Sequence, residues 1–250
     1  MNKNKTSKLF LAIIGLVFVS AFIFSGCGDS TSTNRSSNNA RANANKPANA
    51  TNTPVTTSVA GAVPAHYKGG AAAPVVIEEF ADFQCPTCAV LHPTVQQIQA
   101  AYGDRVKIIF RNFPLQSLHP NAYDAAVAAE AAGLQGKFWD MQNLLFNNQQ
   151  AWANSSNHRQ MFEEYAQRIG LDVEQFKNDM AGVAAKQRVD KDLERARAMN
   201  LGGTPTFIIN GNQLPPDKLD FNSMRQMIDA ELTRAQQSQQ PATQGQPPHW

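Results

Sequence analysis

The sequence contains few residues that could hold a resident metal ion. Its 250 residues include three cysteines, Cys27, Cys85 and Cys88, and the five histidines form no pair with the spacing of metal ligands. A structural zinc site usually needs four ligands, and the chain does not supply a second close pair to complete one. We therefore expect neither a metal nor another cofactor.

The chain also has no large excess of charge beyond its N-terminal segment. Of its 22 basic residues, three lysines fall in residues 1–27, which contain no acidic residue, so 19 basic side chains remain against 20 acidic ones. A balance this close to neutrality gives no electrostatic reason to bind a polyanion or a charged membrane surface. Nucleic-acid binding is therefore not expected.

The longest apolar run is short for a transmembrane helix. It spans Leu9–Phe24, whereas a helix that crosses a bilayer needs about 20 residues. Because lysines precede the run, the segment has the pattern of a signal peptide. Its end, Phe24-Ser25-Gly26-Cys27, resembles a bacterial lipobox, although Phe24 replaces the usual leucine. The resemblance implies that Cys27 is lipidated, and an uncleaved signal anchor is the alternative.

Either form of residues 1–27 keeps the lysines inside and places the rest of the chain outside. The expected location is therefore extracytoplasmic and membrane-anchored, in the periplasm or at the cell surface of a bacterium.

Large apolar residues are scarce on both sides of the central region. Residues 28–67 are rich in Asn, Ala, Ser and Thr, and residues 236–250 are rich in Gln and Pro. Such compositions bury too little apolar surface to fold. We predict a disordered linker over residues 28–67, one folded domain over residues 68–235, and a disordered tail.

A close pair of cysteines lies at the centre of the segment VVIEEFADFQCPTC, residues 75–88. A β-rich apolar run comes first, and Pro86 then occupies the preferred first position of a helix. Cys85 should therefore cap the helix N-terminus, with Cys88 one turn further on and close in space. The helix dipole stabilises a thiolate at that end, which suits thiol–disulfide exchange.

Other interpretations of the Cys85–Cys88 pair stay open at this point. A strand-to-helix turn is a poor place for a structural disulfide, but that role is possible. Zinc binding and the carriage of a soft metal such as Cu(I) are further alternatives.

The rest of the central region predicts a mixed α/β fold. A helix from Pro86 to Tyr102, containing Pro93, should connect the first strand to a parallel strand at Val106–Phe113. No strand signal appears between about residues 118 and 201, where five helical stretches are expected instead. Thr206–Ile209 then predicts a buried strand, followed by an Asn-Gly hairpin turn. A last helix is expected over residues 221–235.

These pieces together resemble the DsbA-like branch of the thioredoxin superfamily, with the pattern known as thioredoxin-like 4. The likeness covers about residues 71–232 and is carried by the cysteine segment and by four later motifs: Phe113-Pro114-Leu115, His119-Pro120-Asn121-Ala122, Gly136-Lys137-Phe138-Trp139 and Gly203-Thr204-Pro205-Thr206-Phe207. The resemblance implies a thioredoxin-like fold with a helical insertion, about residues 118–201, between its second and third core strands.

The resemblance also implies roles for residues around the cysteines. Pro205 would be a cis proline beside the redox pair, leaving the backbone of Thr204 free to bind an extended substrate; a trans proline at a strand start is the alternative. Glu79 would be a buried acid that shuttles protons to Cys88, unless Glu78 points inward instead.

The dipeptide between the cysteines should tune the redox potential. Pro86 begins the helix, and Thr87 adds a hydroxyl group but no positive charge. We therefore expect a potential between those of DsbA and thioredoxin, about −120 and about −270 mV.

The expected function is thiol–disulfide exchange outside the cytoplasm. Cys85 would be the exposed nucleophile and Cys88 the resolving partner, acting as an oxidant because exported compartments favour disulfides. The expected partners are exported proteins with cysteine pairs and a membrane redox partner, and no separate dimerisation domain is evident, so a monomer is expected. A reductase or isomerase, and a metal-delivery lipoprotein that uses both thiolates, are the alternatives.

Overall fold

The structure of this chain is a computed structural model that describes residues 57–239. Residues 1–56 and 240–250 lie outside the described range. The predicted export segment with Cys27, most of the predicted linker and most of the predicted tail therefore stay predictions.

A five-stranded sheet forms the centre of the described region. Its strands are β1 (Tyr67–Gly69), β2 (Val75–Ala81), β3 (Val106–Asn112), β4 (Thr206–Ile209) and β5 (Asn212–Gln213), in the order β1-β3-β2-β4-β5. As expected, β2 and β3 are parallel, whereas the other neighbours are antiparallel. The predicted Asn-Gly turn joins β4 to β5, with Asn210 and Gly211 both at positive φ.

Eight helices accompany the sheet within the described residues. Helix α1 (Pro86–Tyr102) joins β2 to β3, and α8 (Phe221–Gln239) follows β5. The helical insertion between β3 and β4 contains α2 (Ala122–Leu134), α3 (Phe138–Asn147), α4 (Gln149–Trp152), α5 (His158–Arg168), α6 (Val173–Ala181) and α7 (Val183–Ala198). The predicted thioredoxin-like fold with an inserted helical block is thus confirmed.

Alternating side chains of the buried strands supply two apolar cores, one on each face of the sheet. Val75 and Ile77 of β2 pack with residues of α1 and α8, including Ile98 and Ile228. Phe80 belongs to the larger core that the sheet shares with the helical insertion. Because both faces of β2 are covered, the turn that follows this strand is held from both sides.

Two details of the helices differ from the prediction. The insertion contains six helices instead of the five expected, because residues 147–157 include the one-turn helix α4, in which Trp152 is fully buried. The indole nitrogen of Trp152 donates to the carbonyl of Leu145 at 2.8 Å, so one large side chain draws the segment into the core. Helix α8 continues to Gln239, four residues beyond the expected end of the domain.

The segment just before β1 lies against the domain, which differs from the predicted linker over residues 28–67. The main-chain nitrogen of Ala62 donates to Asp192 at 2.9 Å. His66 bonds Glu130 at 2.9 Å and stacks on Phe138 with 3.8 Å between ring centroids. Composition gave no signal for this packing because the partners are polar groups more than 60 residues away along the chain. We call residues 59–66 the N-terminal strap.

Candidate active site

The two cysteines lie where β2 leads into α1. Cys85 is the N-cap residue of α1, with extended backbone angles, and Pro86 is the first helical residue, as predicted. The main-chain nitrogen of Cys85 donates to the carbonyl of Asp82 at 3.1 Å, which closes the turn between strand and helix. Both cysteines are free thiols. Cys85 is only 6% exposed, more recessed than the exposed nucleophile expected, yet still more accessible than Cys88 at 1%.

The surroundings of the two thiols give them very different pKa values. The pKa of Cys85 is lowered to about 5, chiefly by a hydrogen bond from the Cys88 thiol, with further help from main-chain N–H groups at the helix N-terminus and against the opposing effect of burial. Burial in turn raises the pKa of Cys88 well above its ordinary value. Near neutral pH, Cys85 is therefore a thiolate and Cys88 a thiol.

The loop before β4 packs directly against Cys85. The Thr204–Pro205 peptide bond is cis, as expected from the resemblance, and the sulfur of Cys85 lies 3.6 Å from the carbonyl oxygen of Thr204. The hydroxyl oxygen of Thr204 is buried without a hydrogen-bond partner among the described residues. That hydroxyl helps to lower the pKa of Cys85, since it can donate to the sulfur once the sulfur is charged.

Glu79 is buried behind the cysteines, as predicted, at 2% exposure. It lies on β2 between Phe110 of β3 and Phe207 of β4. Burial raises its pKa to about 8, while the charge of Lys68 opposes this rise. A negative charge on Glu79 also helps to raise the pKa of Cys88. The carboxyl group can therefore gain or lose a proton near neutral pH close to Cys88.

The domain that carries this cysteine pair matches a known protein family. Residues 62–230 match the protein-family model Thioredoxin_4, described as thioredoxin, and these residues make up well over half of the chain.

The chain belongs to the thioredoxin family.

Solved structures place this thioredoxin-family chain with the DsbA-like proteins. The crystal structure of oxidised BdbD from Bacillus subtilis has a TM-score of 0.61 and 25% identity to it, covering 68% of this chain and 93% of that one. The thiol-disulfide exchange protein alpha-DsbA2 from Wolbachia pipientis shares the fold at a TM-score of 0.59 and 22% identity, covering 67% and 87% of the two chains. The described domain thus has the DsbA-like form of the thioredoxin fold, with the Cys85–Cys88 pair at the start of α1.

Curated relatives of the chain are much longer than the matched region. The Na(+)/H(+) antiporter NhaA 1 of Mycolicibacterium vanbaalenii is 42% identical over 148 residues, which are 58% of this chain but 23% of that protein. NhaA 3 of Salinispora tropica is 37% identical over 148 residues, 22% of its length. The chain therefore spans less than a quarter of the length of these relatives.

Glu78 and Glu79 are both buried, although the sequence analysis expected only one of them to point inward. Glu78 points to the opposite face of β2, where Arg111 and Arg195 donate to its carboxylate at 3.0 and 2.5 Å. The pairing with two guanidinium groups explains how a second acid can be buried. Glu78 therefore belongs to the ionic contacts below the N-terminal strap, and Glu79 faces the redox pair.

His92 of α1 is also buried behind the active-site turn. Its exposure is 3%, and Asn143 lies 2.9 Å from its Nε2 atom. Burial lowers the pKa of this histidine. His92 and Glu79 line a cavity of about 10 Å³ behind the active site, together with Lys68 and Gln142, and this is about the space that one water molecule needs.

Several polar contacts around Cys85 could not be found from the sequence. The side-chain amide of Gln149, in α4, donates to the carbonyl oxygens of Phe83 and Cys85 at 2.7 and 2.9 Å. Gln84 donates to the carbonyl of Ala153 at 2.6 Å. The helical insertion therefore holds the active-site turn directly.

Pro86 and Thr87 are both exposed on the first turn of α1. The redox-tuning role of the pair stays a prediction. Within residues 57–239, no group of three or more His, Cys, Asp or Glu side chains lies together in a way that could hold a metal ion. None of the helices in that range is both long and apolar enough to span a bilayer.

Proposed function

We propose that this chain oxidises cysteine pairs in exported proteins outside the cytoplasm. The observation that supports this direction best is the difference between the two thiols, with the pKa of Cys85 lowered to about 5 and that of Cys88 raised. Stabilising the Cys85 thiolate stabilises the reduced form, and a stabilised reduced form makes the disulfide a stronger oxidant.

The proposed reaction begins with the Cys85–Cys88 disulfide. A substrate thiolate attacks the sulfur of Cys85, the bond between the two cysteines breaks, and Cys88 leaves and takes up a proton. A second substrate thiolate then attacks the substrate sulfur of the mixed disulfide, and Cys85 leaves as a thiolate. The substrate has lost two electrons, and the protein now holds them as its dithiol.

The remaining features support a tethered enzyme with an extended substrate. Thr204 and the cis proline present a main-chain edge beside Cys85, to which a peptide can add as a strand. The apolar run and Cys27 would anchor the chain in a membrane, and a membrane redox partner would re-oxidise the dithiol. Glu79 would supply the proton that Cys88 takes up.

Trapping of mixed disulfides tests the proposal. In cells, Cys88→Ala should leave substrates covalently bound to Cys85, because Cys85 can still attack a substrate disulfide, whereas the Cys88 thiol that would attack the mixed disulfide at Cys85 and free the substrate is missing. The control Cys85→Ala should trap far fewer. Equal trapping by the two variants would contradict the assignment of roles.

Alkylation of free thiols in the wild-type protein then tests the direction. A pair that is mostly disulfide in vivo supports the oxidant, and a pair that is mostly dithiol indicates a reductase or isomerase. Metal titration of the reduced protein, with Cys85→Ser as control, tests the metal-delivery alternative.

A further inference from the structure

A histidine that the function described above does not use lies beside the active-site turn. The Nδ1 atom of His119, in the loop after β3, is 2.8 Å from the Oδ2 atom of Asp82. The Asp82 carboxylate is fully buried, whereas 20% of the His119 side chain is exposed. The pair therefore connects the interior of the turn before Cys85 to the protein surface.

The contacts of Asp82 fix the orientation of the imidazole ring. Its carboxylate oxygens also accept from the main-chain nitrogens of Gln84 at 2.7 Å and Leu115 at 2.8 Å. A carboxylate can only accept, so its third contact must also be a donor, and Nδ1 of His119 carries the hydrogen. The Nε2 atom is then the nitrogen left to act on another molecule, as in sites where a carboxylate orients a histidine base.

His119 lines an open groove together with the two chain neighbours of Cys85. The groove has a volume of about 320 Å³, and its other lining residues include Gln84, Pro86, Leu118, Gln149 and Asn154. Gln84 and Pro86 are the two chain neighbours of Cys85, and Gln149 donates to the Cys85 carbonyl. Asp82 is the charged group in contact with the ring, and the lining residues of the groove besides His119 carry no charge.

We propose that Nε2 of His119 accepts the proton of a substrate thiol in this groove as that thiol attacks the disulfide. The inference rests on the proposed oxidation of protein thiols. The substrate S–H bond breaks, its proton moves to Nε2, and the thiolate forms a bond to the sulfur of Cys85 while Cys88 leaves. His119 then returns the proton to solvent through its exposed edge, and the second substrate thiol is deprotonated in the same way.

The expected gain is limited by the acidity of ordinary thiols. A thiol with a pKa of about 8.5 is only about 3% thiolate at pH 7, so complete deprotonation would raise its rate of attack by at most about 30-fold. We expect His119→Asn to slow the reaction about tenfold at pH 7, within that limit. Asparagine keeps an N–H donor for Asp82 and removes Nε2, which leaves the turn intact.

The test uses the full chain, pre-oxidised, with a peptide that contains two cysteines. The rate of peptide oxidation is measured from pH 5 to 9 for the wild type, for His119→Asn, and for the control His158→Gln. Both ring nitrogens of His158 already have partners, Ser155 and Asp124, at 3.0 and 2.8 Å. His158→Gln should behave as wild type.

The shape of the pH profile decides the outcome. Support requires that the His119→Asn rate rise steadily with the thiolate fraction of the peptide, that the wild-type rate level off at lower pH, and that added imidazole restore part of the lost rate. An unchanged rate, or a loss with the wild-type profile and no response to imidazole, overturns the role of His119. A wild type that oxidises no peptide would instead overturn the proposed function on which the inference rests.

Discussion

The sulfur of Cys85 lies 3.6 Å from the carbonyl oxygen of Thr204, the residue that precedes the cis proline. Cys85 precedes α1 and Thr204 precedes β4, and the two residues are 119 positions apart in the chain. Their contact brings the N-terminus of α1 and the loop before β4 together at a single sulfur atom. The properties of that sulfur should therefore respond to changes in both segments.

Replacing Thr204 by valine removes a hydroxyl group that stabilises the Cys85 thiolate. We expect the pKa of Cys85 to rise by about one unit, which corresponds to about 1.4 kcal/mol, and the potential to fall by about 30 mV. The ultraviolet absorbance of the thiolate, followed against pH, measures the first effect. Thr206→Val is the matched control, because the Thr206 hydroxyl donates to the carbonyl of Gly203 instead. An equal shift in both variants would contradict this explanation.

Replacing Thr87 by histidine should have the opposite effect. The residue is exposed on the first turn of α1, where a positive charge would stabilise the Cys85 thiolate further. We expect a lower pKa for Cys85 and a potential higher by tens of millivolts, since about 30 mV corresponds to about 1.4 kcal/mol for two electrons. Equilibration with glutathione buffers measures the potential. An unchanged or more reducing variant would show that the dipeptide does not act through charge.

Replacing Glu79 by glutamine should slow every step in which Cys88 gains or loses a proton. The pKa of Glu79 is raised to about 8. At pH 6 the carboxyl group is protonated, so the wild-type glutamic acid and the glutamine of the variant should stabilise the fold almost equally. They then differ only in whether the side chain can transfer a proton. Rapid-quench measurement of mixed-disulfide release through Cys88 at this pH isolates the effect. Equal release rates in the two proteins would refute the proton-shuttle role.

The same substitution makes a separate prediction for stability. An acid whose pKa is raised on folding stabilises the native state below its unfolded pKa and loses that contribution as pH rises through its folded pKa. Between about pH 5 and 8, the wild-type free energy of unfolding should therefore fall relative to the variant by up to about 1.4 kcal/mol per pH unit. Urea unfolding at several pH values tests this; parallel curves would count against a raised pKa.

Asp192 should contribute strongly to stability because it joins the N-terminal strap to the sheet. Its buried carboxylate accepts from Arg111, Ala62 and Asn112. Asp192→Asn should destabilise the fold by about 3 kcal/mol, since removing one partner of a buried ion pair leaves the other uncompensated. The main-chain N–H of Ala62 should also exchange faster with solvent.

A neighbouring exposed pair on α7 provides the control for Asp192. Lys191 and Glu194 form an ion pair at 2.7 Å with both side chains about half exposed. Glu194→Gln should change stability by less than about 1 kcal/mol. Comparable losses from both substitutions would mean that burial of Asp192 has no special importance.

Replacing Cys27 by serine should release or misprocess the protein without altering its thiol chemistry. Cys27 follows the apolar run and the pair Ser25-Gly26, the position of an anchoring residue. Fractionation of membranes measures the release, and insulin reduction by the released protein measures the chemistry. Loss of activity in the soluble variant would mean that Cys27 takes part in redox exchange.

The parts of the fold that could be predicted depend on neighbours in sequence. Strands β2, β3 and β4 are short apolar runs, Pro86 fixes the start of α1, and the Asn-Gly pair fixes the β4–β5 turn. Each signal lies within a few residues of the structure it specifies. The bounds of these elements therefore followed from the sequence to within about two residues.

The contacts that were missed join residues far apart in sequence. Gln149 reaches Cys85 across 64 residues, and Asp192 reaches Ala62 across 130. A glutamine in a polar stretch carries no local sign that its amide will bind the carbonyls of an active-site turn. The burial of His92 could not be predicted for the same reason, because it depends on contacts with Asn143 and Phe146 of α3.

The N-terminal strap determines where a mechanical load enters the domain. Strand β1 has only three residues at the edge of the sheet, and edge strands of this length peel away easily. Val59 and Pro64 are bound through their carbonyl oxygens by Arg195 and Arg188 of α7. Tension on the chain ahead of residue 59 would thus be borne first by a long helix, and β1 would be shielded from it.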